Sequence, residues 1–104
     1  MGSTRMDILK TMVAQNPKDS FSRYGLAMEY RNGGDLEQAV REFRDLIAVN
    51  PDYAYAYFHA GQTLERMGKL EEAAEMYRAG IESASRTGDQ HAKGELEGAL
   101  DLLG

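Results

Sequence analysis

The chain has 104 residues, a formal net charge of −5 and an apolar content of 42%, which limits it to one domain with enough apolar side chains for a core. Its Lys and Arg residues are interleaved with acids, and this argues against a nucleic-acid partner, which requires clustered cations. No apolar run approaches about 18 residues, so no membrane partner or span is expected. Zero cysteines exclude disulfides and thiolate metal sites, and the lack of an export signal favours a cytoplasmic protein.

The first half of the chain is predicted to begin with two helices, because its apolar residues recur at helical spacing. Residues 1–5 are expected to be a disordered leader, and the first helix is expected over 6–15. The second helix is expected to run to about Asn32, and Asp19 or Ser20 is expected to cap its N-terminus. No segment alternates with period two for long enough to predict a strand.

Four further helices are predicted in the rest of the chain. Asp35 is expected to cap the third helix in a capping box with Gln38. Asp52 is expected to cap the fourth. The fifth is expected over 70–85 and the last over 89–103, so the chain as a whole is predicted to contain about six helices.

Two stretches that lie 34 residues apart are nearly the same. Asn16-Pro17 recurs as Asn50-Pro51. The run Gly34–Ala39, GDLEQA, recurs as Gly68–Ala73, GKLEEA. A fixed period of this length is typical of stacked helical arrays, so the chain is predicted to be an all-α solenoid of tandem helix-turn-helix repeats.

This pattern resembles the tetratricopeptide repeat, a helix-turn-helix unit of about 34 residues. The resemblance implies one domain over 6–103, in which full repeats at 20–53 and 54–87 lie between an N-terminal half-repeat at 6–17 and a capping helix at 88–103. The matching residues are Leu26, Ala27, Tyr30, Ala39, Phe43 and Pro51 in the first repeat, and Tyr57, Ala60, Gly61, Leu64, Ala73 and Tyr77 in the second.

Four positions depart from the family pattern. Arg23 stands where the leading aromatic residue of the first repeat is usual, and Leu46 and Gly80 replace a small residue that is usually Ala. Ser85 stands where the second repeat's Pro is usual, so the turn there is expected to be longer or helical. None of these departures is expected to disrupt the fold, because the rest of the pattern is intact.

The resemblance also implies a concave groove lined by the first helix of each repeat. The residues carried over to that groove are Phe21, Tyr24, Met28 and Arg31 from the first repeat, and Tyr55, Phe58, His59, Gln62 and Arg66 from the second. Four of them are large aromatics, and an exposed apolar cluster rimmed by Arg and Gln normally marks a contact site. The resulting interpretation is a protein-protein interaction module that binds a peptide or a segment of a partner protein there.

Three alternatives to this interpretation stay open. The aromatic residues can pack on one another and on the first helix without any ligand. The chain can instead associate with itself as a homodimer, through the groove or through the end helices. It can also be an accessory part of a larger catalytic assembly. Because the matching residues are packing residues, they predict the architecture and leave the partner unidentified.

No catalytic, cofactor or metal site is predicted. His59 has no carboxylate or second histidine one turn away, and His91 has only Glu95, which is too few ligands for a metal ion. Gly33-Gly34 is not followed by the Lys and Ser or Thr of a phosphate loop. The histidines are therefore expected to be structural or surface residues, and the protein is not expected to be an enzyme.

One sub-class of the family binds the C-terminal carboxylate of chaperone tails with Lys, Asn and Arg side chains. The matching positions here hold Tyr24, Met28, His59, Asp89 and Lys93. Only Lys93 supplies a positive charge, which argues against chaperone-tail recognition and for an apolar or aromatic peptide, or for a self-contact.

Overall fold

The computed structural model describes residues 4–104, which form six helices and no strand. The helices are α1 (Arg5–Gln15), α2 (Ser20–Asn32), α3 (Leu36–Val49), α4 (Ala54–Arg66), α5 (Leu70–Thr87) and α6 (Gln90–Leu102). The predicted all-α architecture is thereby confirmed over the described part of the chain. α2 pairs with α3 and α4 with α5 as helical hairpins, while α1 packs on α2 and α6 packs on α5 and α4. The array measures 47 × 29 × 18 Å.

The first helix begins earlier than the sequence analysis predicted. Residues 1–3 of the expected leader lie outside the described residues, but the prediction is wrong at the other two. Thr4 caps α1, since its Oγ1 accepts the Asp7 N–H at 3.1 Å and the Asp7 carboxylate accepts the Thr4 N–H at 3.4 Å. Arg5 is already helical. The box was overlooked because Asp stands where Glu or Gln is usual.

Two of the predicted N-caps form, although one is incomplete. Asp19 accepts the Phe21 N–H at 3.2 Å, and Asp35 accepts the Gln38 N–H at 3.2 Å. The Gln38 side chain does not return to the cap, because its amide donates to Glu42 at 3.0 Å. The predicted capping box therefore reduces to a single side-chain cap.

The predicted cap at Asp52 is wrong. The N-cap of α4 is Tyr53, whose side chain makes no capping hydrogen bond. The Asp52 carboxylate instead accepts the guanidinium of Arg86 at 3.1 Å, near the end of α5. This contact ties the loop before α4 to the second helix of the same hairpin, and a sequence pattern local to the loop does not reveal it.

Small residues let the helices of each hairpin approach closely. Ala27 and Ala39 are fully buried in the first hairpin. In the second, the ring of the fully buried Tyr77 lies directly against Gly61, and a Cβ at Gly61 would stand 2.7 Å from the ring Cδ1 and Cζ. Because an ordinary contact is 3.4–4 Å, only glycine fits there without a shift of the ring.

The departures from the family pattern at Gly80 and Ser85 are explained by the close packing of α5 and by its length. A Cβ at Gly80 would stand 2.6 Å from Tyr57 Cβ and 2.9 Å from Leu96 Cδ2, so this position of α5 lies against both α4 and α6. Leu96 itself is fully buried. α5 continues as helix through Ser85 to Thr87, and Gly88 then ends it with a left-handed φ of 76°.

Arg23 replaces an aromatic residue without loss of that residue's hydrogen bond. In the second repeat the Tyr57 hydroxyl donates to the Pro51 carbonyl at 2.7 Å. In the first repeat, 34 residues earlier, Arg23 Nε donates to the Pro17 carbonyl at 2.5 Å. Both side chains therefore tie the loop that precedes their helix to the helix itself.

Candidate functional site

The residues predicted to bind a partner form two stripes, one on α2 and one on α4. On α2, Phe21, Tyr24, Met28 and Arg31 are spaced three, four and three residues apart, which places them on one helix face. On α4, the same face carries the predicted residues from Tyr55 to Arg66. We call these two stripes the inner face; its members are Phe21, Tyr24, Met28, Arg31, Tyr55, Phe58, His59, Gln62 and Arg66.

No member of the inner face is fully buried. The side chain of Phe21 is 72% exposed, which is unusual for a phenylalanine, and Arg66 is also exposed. The other seven members are half-buried. Tyr24 and Phe58 pack partly on the core, which is what the alternative of aromatic packing without a ligand predicts. Phe21 does not pack on the core.

His59 is the point at which the two stripes meet. Its Nε2 lies 3.0 Å from the Tyr24 hydroxyl, and its Nδ1 lies 3.1 Å from Arg31 Nη1. The His59 ring also stacks on Phe43, with 6.2 Å between centroids, and meets the edge of Phe58 at 5.6 Å. α2 and α4 are thus joined across the inner face by one imidazole.

The hydrogen bonds assign the protonation state of His59. Arg31 has only donors, so Nδ1 of His59 must accept and Nε2 must carry the proton that it donates to the Tyr24 oxygen. This neutral form agrees with the pKa of His59, which burial and then the positive charge of Arg31 lower to about 4, against a smaller opposing effect of Glu95. The Tyr24 hydroxyl keeps its own proton free for another acceptor.

Arg31 carries its charge without an acidic neighbour. Among residues 4–104 no carboxylate lies within 4.0 Å of its guanidinium, and its Nε is buried with no hydrogen-bond partner. Within the described part of the chain, His59 is the only side-chain acceptor that it reaches. A buried donor without a partner costs about 1–3 kcal/mol, so the fold maintains this arginine on the inner face at some expense in stability.

The two ends of the inner face differ in chemistry. Phe21 and Tyr55 lie at the N-terminal ends of their helices, and the pKa of Tyr55 is raised by burial and by the charges of Glu95 and Asp89 from the α6 side. The other end is polar, with an open pocket of about 310 Å³ lined by Arg31, Gln62, Glu65 and Arg66. The inner face therefore offers aromatic contacts at one end and hydrogen bonds at the other.

Glu65 is already engaged at the polar end. The buried Tyr77 hydroxyl donates to its carboxylate. The pKa of Tyr77 is raised, first by burial and then by this hydrogen bond and the charge of Glu65. The Glu65 carboxylate is consequently held toward the core by α5.

The central position of His59 in this arrangement was not predicted. His59 was expected to be one of the groove residues, with a structural or surface role, because no carboxylate or second histidine lies one turn away. Its partners Tyr24 and Arg31 are 35 and 28 residues distant. The 34-residue period indicates only that corresponding positions of α2 and α4 lie side by side in a stacked array.

A second concavity lies away from the inner face, between α3 and α5. It has a volume of about 400 Å³ and contains none of the nine predicted residues. Its lining is Arg44, Ile47, Ala48, Tyr57, Glu72, Glu75, Met76 and Ala79. Ile47 is only half-buried, although its apolar character favours the interior.

Two searches of the described residues gave no further site. Within residues 4–104 no helix is long and apolar enough to cross a membrane. Over the same residues, no three His, Asp or Glu side chains come close enough to hold a metal ion.

Comparison with known proteins gives consistent results. The family model described as tetratricopeptide repeat matches residues 24–87. A TPR repeat-containing protein of Pseudomonas aeruginosa is 26% identical over 88 residues, covering 85% of this chain and 84% of that protein. A crystal structure of a tetratricopeptide repeat domain protein from Salinibacter ruber is 34% identical, with a TM-score of 0.75 and coverage of 82% of this chain and 94% of that one.

A more distant neighbour shares the fold alone. The crystal structure of PcrH in complex with the chaperone binding region of PopD has a TM-score of 0.87 at 16% identity, and it covers 94% of this chain and 74% of that one. The backbone arrangement of the six helices is thus found in a protein of quite different sequence.

Proposed function

The chain belongs to the tetratricopeptide repeat family, and on that premise we propose that it is a protein-protein interaction module whose inner face binds a segment of a partner. The family model spans more than half of the chain. PcrH, which shares the fold, is seen with a region of PopD bound, and this supports a binding role for such an arrangement of helices. A non-enzymatic role and a cytoplasmic location remain predictions.

The exposure of Phe21 is the observation that carries the proposal. A phenylalanine buries about 150–250 Å² when it is enclosed, and this side chain remains 72% exposed on the face that also carries the half-buried Tyr24 and Tyr55. Large aromatic side chains near the centre of an interface are common binding anchors. Because Phe21 is not part of the core, its exposure on the same face as several other aromatic residues supports a contact site there.

The chemistry of the two ends indicates the partner's composition. Apolar or aromatic side chains of the partner suit the end that carries Phe21 and Tyr55. Backbone or side-chain acceptors suit the other end, where Gln62 and Arg66 line the open pocket. A segment with apolar residues followed by polar ones is therefore the proposed ligand.

The double substitution Phe21→Ala with Tyr55→Ala tests the inner face. We expect partners captured by the wild-type protein from a cell extract to lose at least about tenfold in affinity, which corresponds to about 1.4 kcal/mol. The matched control is Leu70→Ala with Leu102→Ala, since these leucines are 52% and 89% exposed and are not on the inner face. Equal retention of the same partners by both double variants would contradict the proposal.

Self-association is the second candidate, because a second copy could also cover Phe21. Light scattering at micromolar concentration distinguishes the two. A dimer that becomes a monomer in the Phe21→Ala and Tyr55→Ala variant would mean that the inner face is occupied by the protein itself. A monomeric wild-type protein would favour the peptide-binding role instead.

A further inference from the structure

The concavity between α3 and α5 has the form of a second binding surface, which we call the outer groove. Its walls are Arg44, Ile47 and Ala48 on α3 and Glu72, Glu75, Met76 and Ala79 on α5, and Tyr57 of α4 lies at its floor. The base of the groove is well packed, since Tyr57 at the floor and Met76 at the foot of the α5 wall are 6% and 8% exposed. Ile47 and Ala79 are half-buried and Ala48 is exposed, so apolar atoms remain open to solvent along the groove.

The groove follows the helices that form it. On each wall the lining residues recur at helical spacing, from 44 to 48 on α3 and from 72 to 79 on α5. At a rise of 1.5 Å per residue the α5 wall is about 10 Å long, or roughly two turns. Adjacent side chains one turn apart on a partner helix would lie about 5–6 Å from one another, which matches a groove of this length.

The size and polarity of the groove favour side chains over a small molecule. Small-molecule sites are usually about 300–1,000 Å³ and enclose most of the ligand, with polar groups placed to orient it. The outer groove is at the low end of that range and is open along one side. Apart from the Tyr57 hydroxyl, which donates to Pro51, its polar side-chain groups are charged residues on the walls.

The charges of the groove favour a cationic partner. Arg44 Nη2 lies 3.4 Å from the Glu72 carboxylate, and this pair neutralises itself. Glu75 is exposed and has neither an ion pair nor a side-chain hydrogen bond within residues 4–104. One negative charge thus remains beside the apolar floor. A second copy of the chain, with its own net charge of −5, is disfavoured as the occupant.

From these observations we propose that the outer groove binds an amphipathic helix of another protein, which inserts two neighbouring apolar side chains and pairs a Lys or Arg with Glu75. This surface is separate from the inner face, so the inference does not depend on the function proposed above. The chain would then contact one partner segment on each of two faces.

A pair of synthetic peptides tests this inference on the full chain. One is a short helical peptide with Leu at positions i and i+4 flanked by Lys, and its counterpart has Glu in place of every Lys. Methyl NMR of Ile47, Met76 and Ala79 reports the groove, and the inner face is read from Met28 and the aromatic signals of Tyr24. We expect saturable shifts at the groove methyls, with the Lys peptide binding at least about tenfold tighter than the Glu peptide.

Two variants complete the test, and both alter exposed residues so that the fold is retained. Ala48→Gln introduces a longer, uncharged side chain into the groove mouth and is expected to weaken the Lys peptide at least about fivefold. Glu75→Lys is expected to reverse the preference between the two peptides. Leu102→Ala, at an 89% exposed position that belongs to neither surface, is the matched control and should leave both affinities unchanged.

Three results would overturn the inference. The Lys peptide could cause no shifts at the groove methyls up to about 1 mM. It could shift only the inner-face signals of Met28 and Tyr24, which would leave the proposed function standing and remove the second surface. The two peptides could also bind equally well, in which case Glu75 would have no part in recognition.

Discussion

Gly61→Ala and Gly98→Ala make the same chemical change in two helices, and the structure predicts opposite effects on stability. A Cβ at Gly61 would stand 2.7 Å from the ring atoms Cδ1 and Cζ of Tyr77, which is fully buried and whose hydroxyl donates to Glu65. A Cβ at Gly98, within α6, would meet no atom within 4 Å.

The magnitudes follow from two opposing contributions. Alanine stabilises a helix interior by up to about 1 kcal/mol relative to glycine. Forcing an extra methyl group into a packed core costs about 1–3 kcal/mol. At Gly61 both apply, and the overlap with an immobile ring places the cost near the upper end, so a net loss of about 1–2 kcal/mol is expected. At Gly98 only the gain applies, and an increase of about 0.5–1 kcal/mol is expected.

Thermal and urea unfolding of the two variants measure this difference. For a domain of this size about 1 kcal/mol changes Tm by roughly 4–8 °C, so the two variants should melt on opposite sides of the wild type. A double-mutant cycle with Tyr77→Leu assigns the cause, because Gly61→Ala should cost less once the ring is gone. The reasoning is refuted if Gly61→Ala raises Tm as Gly98→Ala does.

Three further predictions concern the half-buried His59, the fully buried Leu96 of α6 and the contact of Arg23 with the loop before α2. His59 has a pKa of about 4 in the fold against 6.5 when unfolded, so the unfolded chain takes up the proton first as the pH falls. The stability that the neutral imidazole contributes above pH 6.5 should be lost as the pH falls toward 4, by on the order of 1–2 kcal/mol after allowance for solvent screening. The variant His59→Gln should not show this loss. Urea midpoints of wild type and variant that change in parallel between these pH values would be inconsistent with the prediction. Leu96→Ala should lower the free energy of unfolding by about 2–5 kcal/mol, because Leu96 is fully buried. Leu102→Ala, at an 89% exposed position of the same helix, should change it by less than about 0.5 kcal/mol. Equal melting curves for the two variants would contradict the role of α6 as a cap. Arg23→Ala should lower stability by about 1 kcal/mol, because the hydrogen bond to the Pro17 carbonyl is lost. Arg23→Tyr should recover part of this loss in chemical denaturation, since a tyrosine hydroxyl makes the corresponding bond at Tyr57. A Tyr variant no more stable than the Ala variant would show that the two side chains are not equivalent.

The fold was predictable because its determinants recur in the sequence. The 34-residue repeat of Gly34 as Gly68 marks two turns with left-handed φ, and Ala39 and Ala73 mark the two helix crossings. The N-cap prediction at Asp52 failed because the local sequence is compatible with more than one contact. The acid of the Asp52 loop could cap a helix or reach Arg86, and the choice depends on a residue 34 positions away.

The candidate site was predictable as a set of positions and not as a set of interactions. The family pattern indicates which residues of α2 and α4 share a face, and Phe21 and Arg66 are exposed on it. It does not show that His59 joins Tyr24 to Arg31, because those contacts depend on how two repeats stack and on long side chains whose reach no period encodes. The outer groove was missed for a similar reason, since Ile47 has the apolar character of a core residue and is only half-buried.

The equivalence of Arg23 and Tyr57 bears on how repeat proteins are engineered. What the position requires is a donor long enough to reach the carbonyl of the loop proline, and a guanidinium and a phenol both meet that requirement. Arg23 also lies 3.8 Å from Asp45 of the neighbouring helix. Consensus repeats can therefore exchange charge for aromaticity at this position, which allows the isoelectric point of a designed array to be adjusted one repeat at a time.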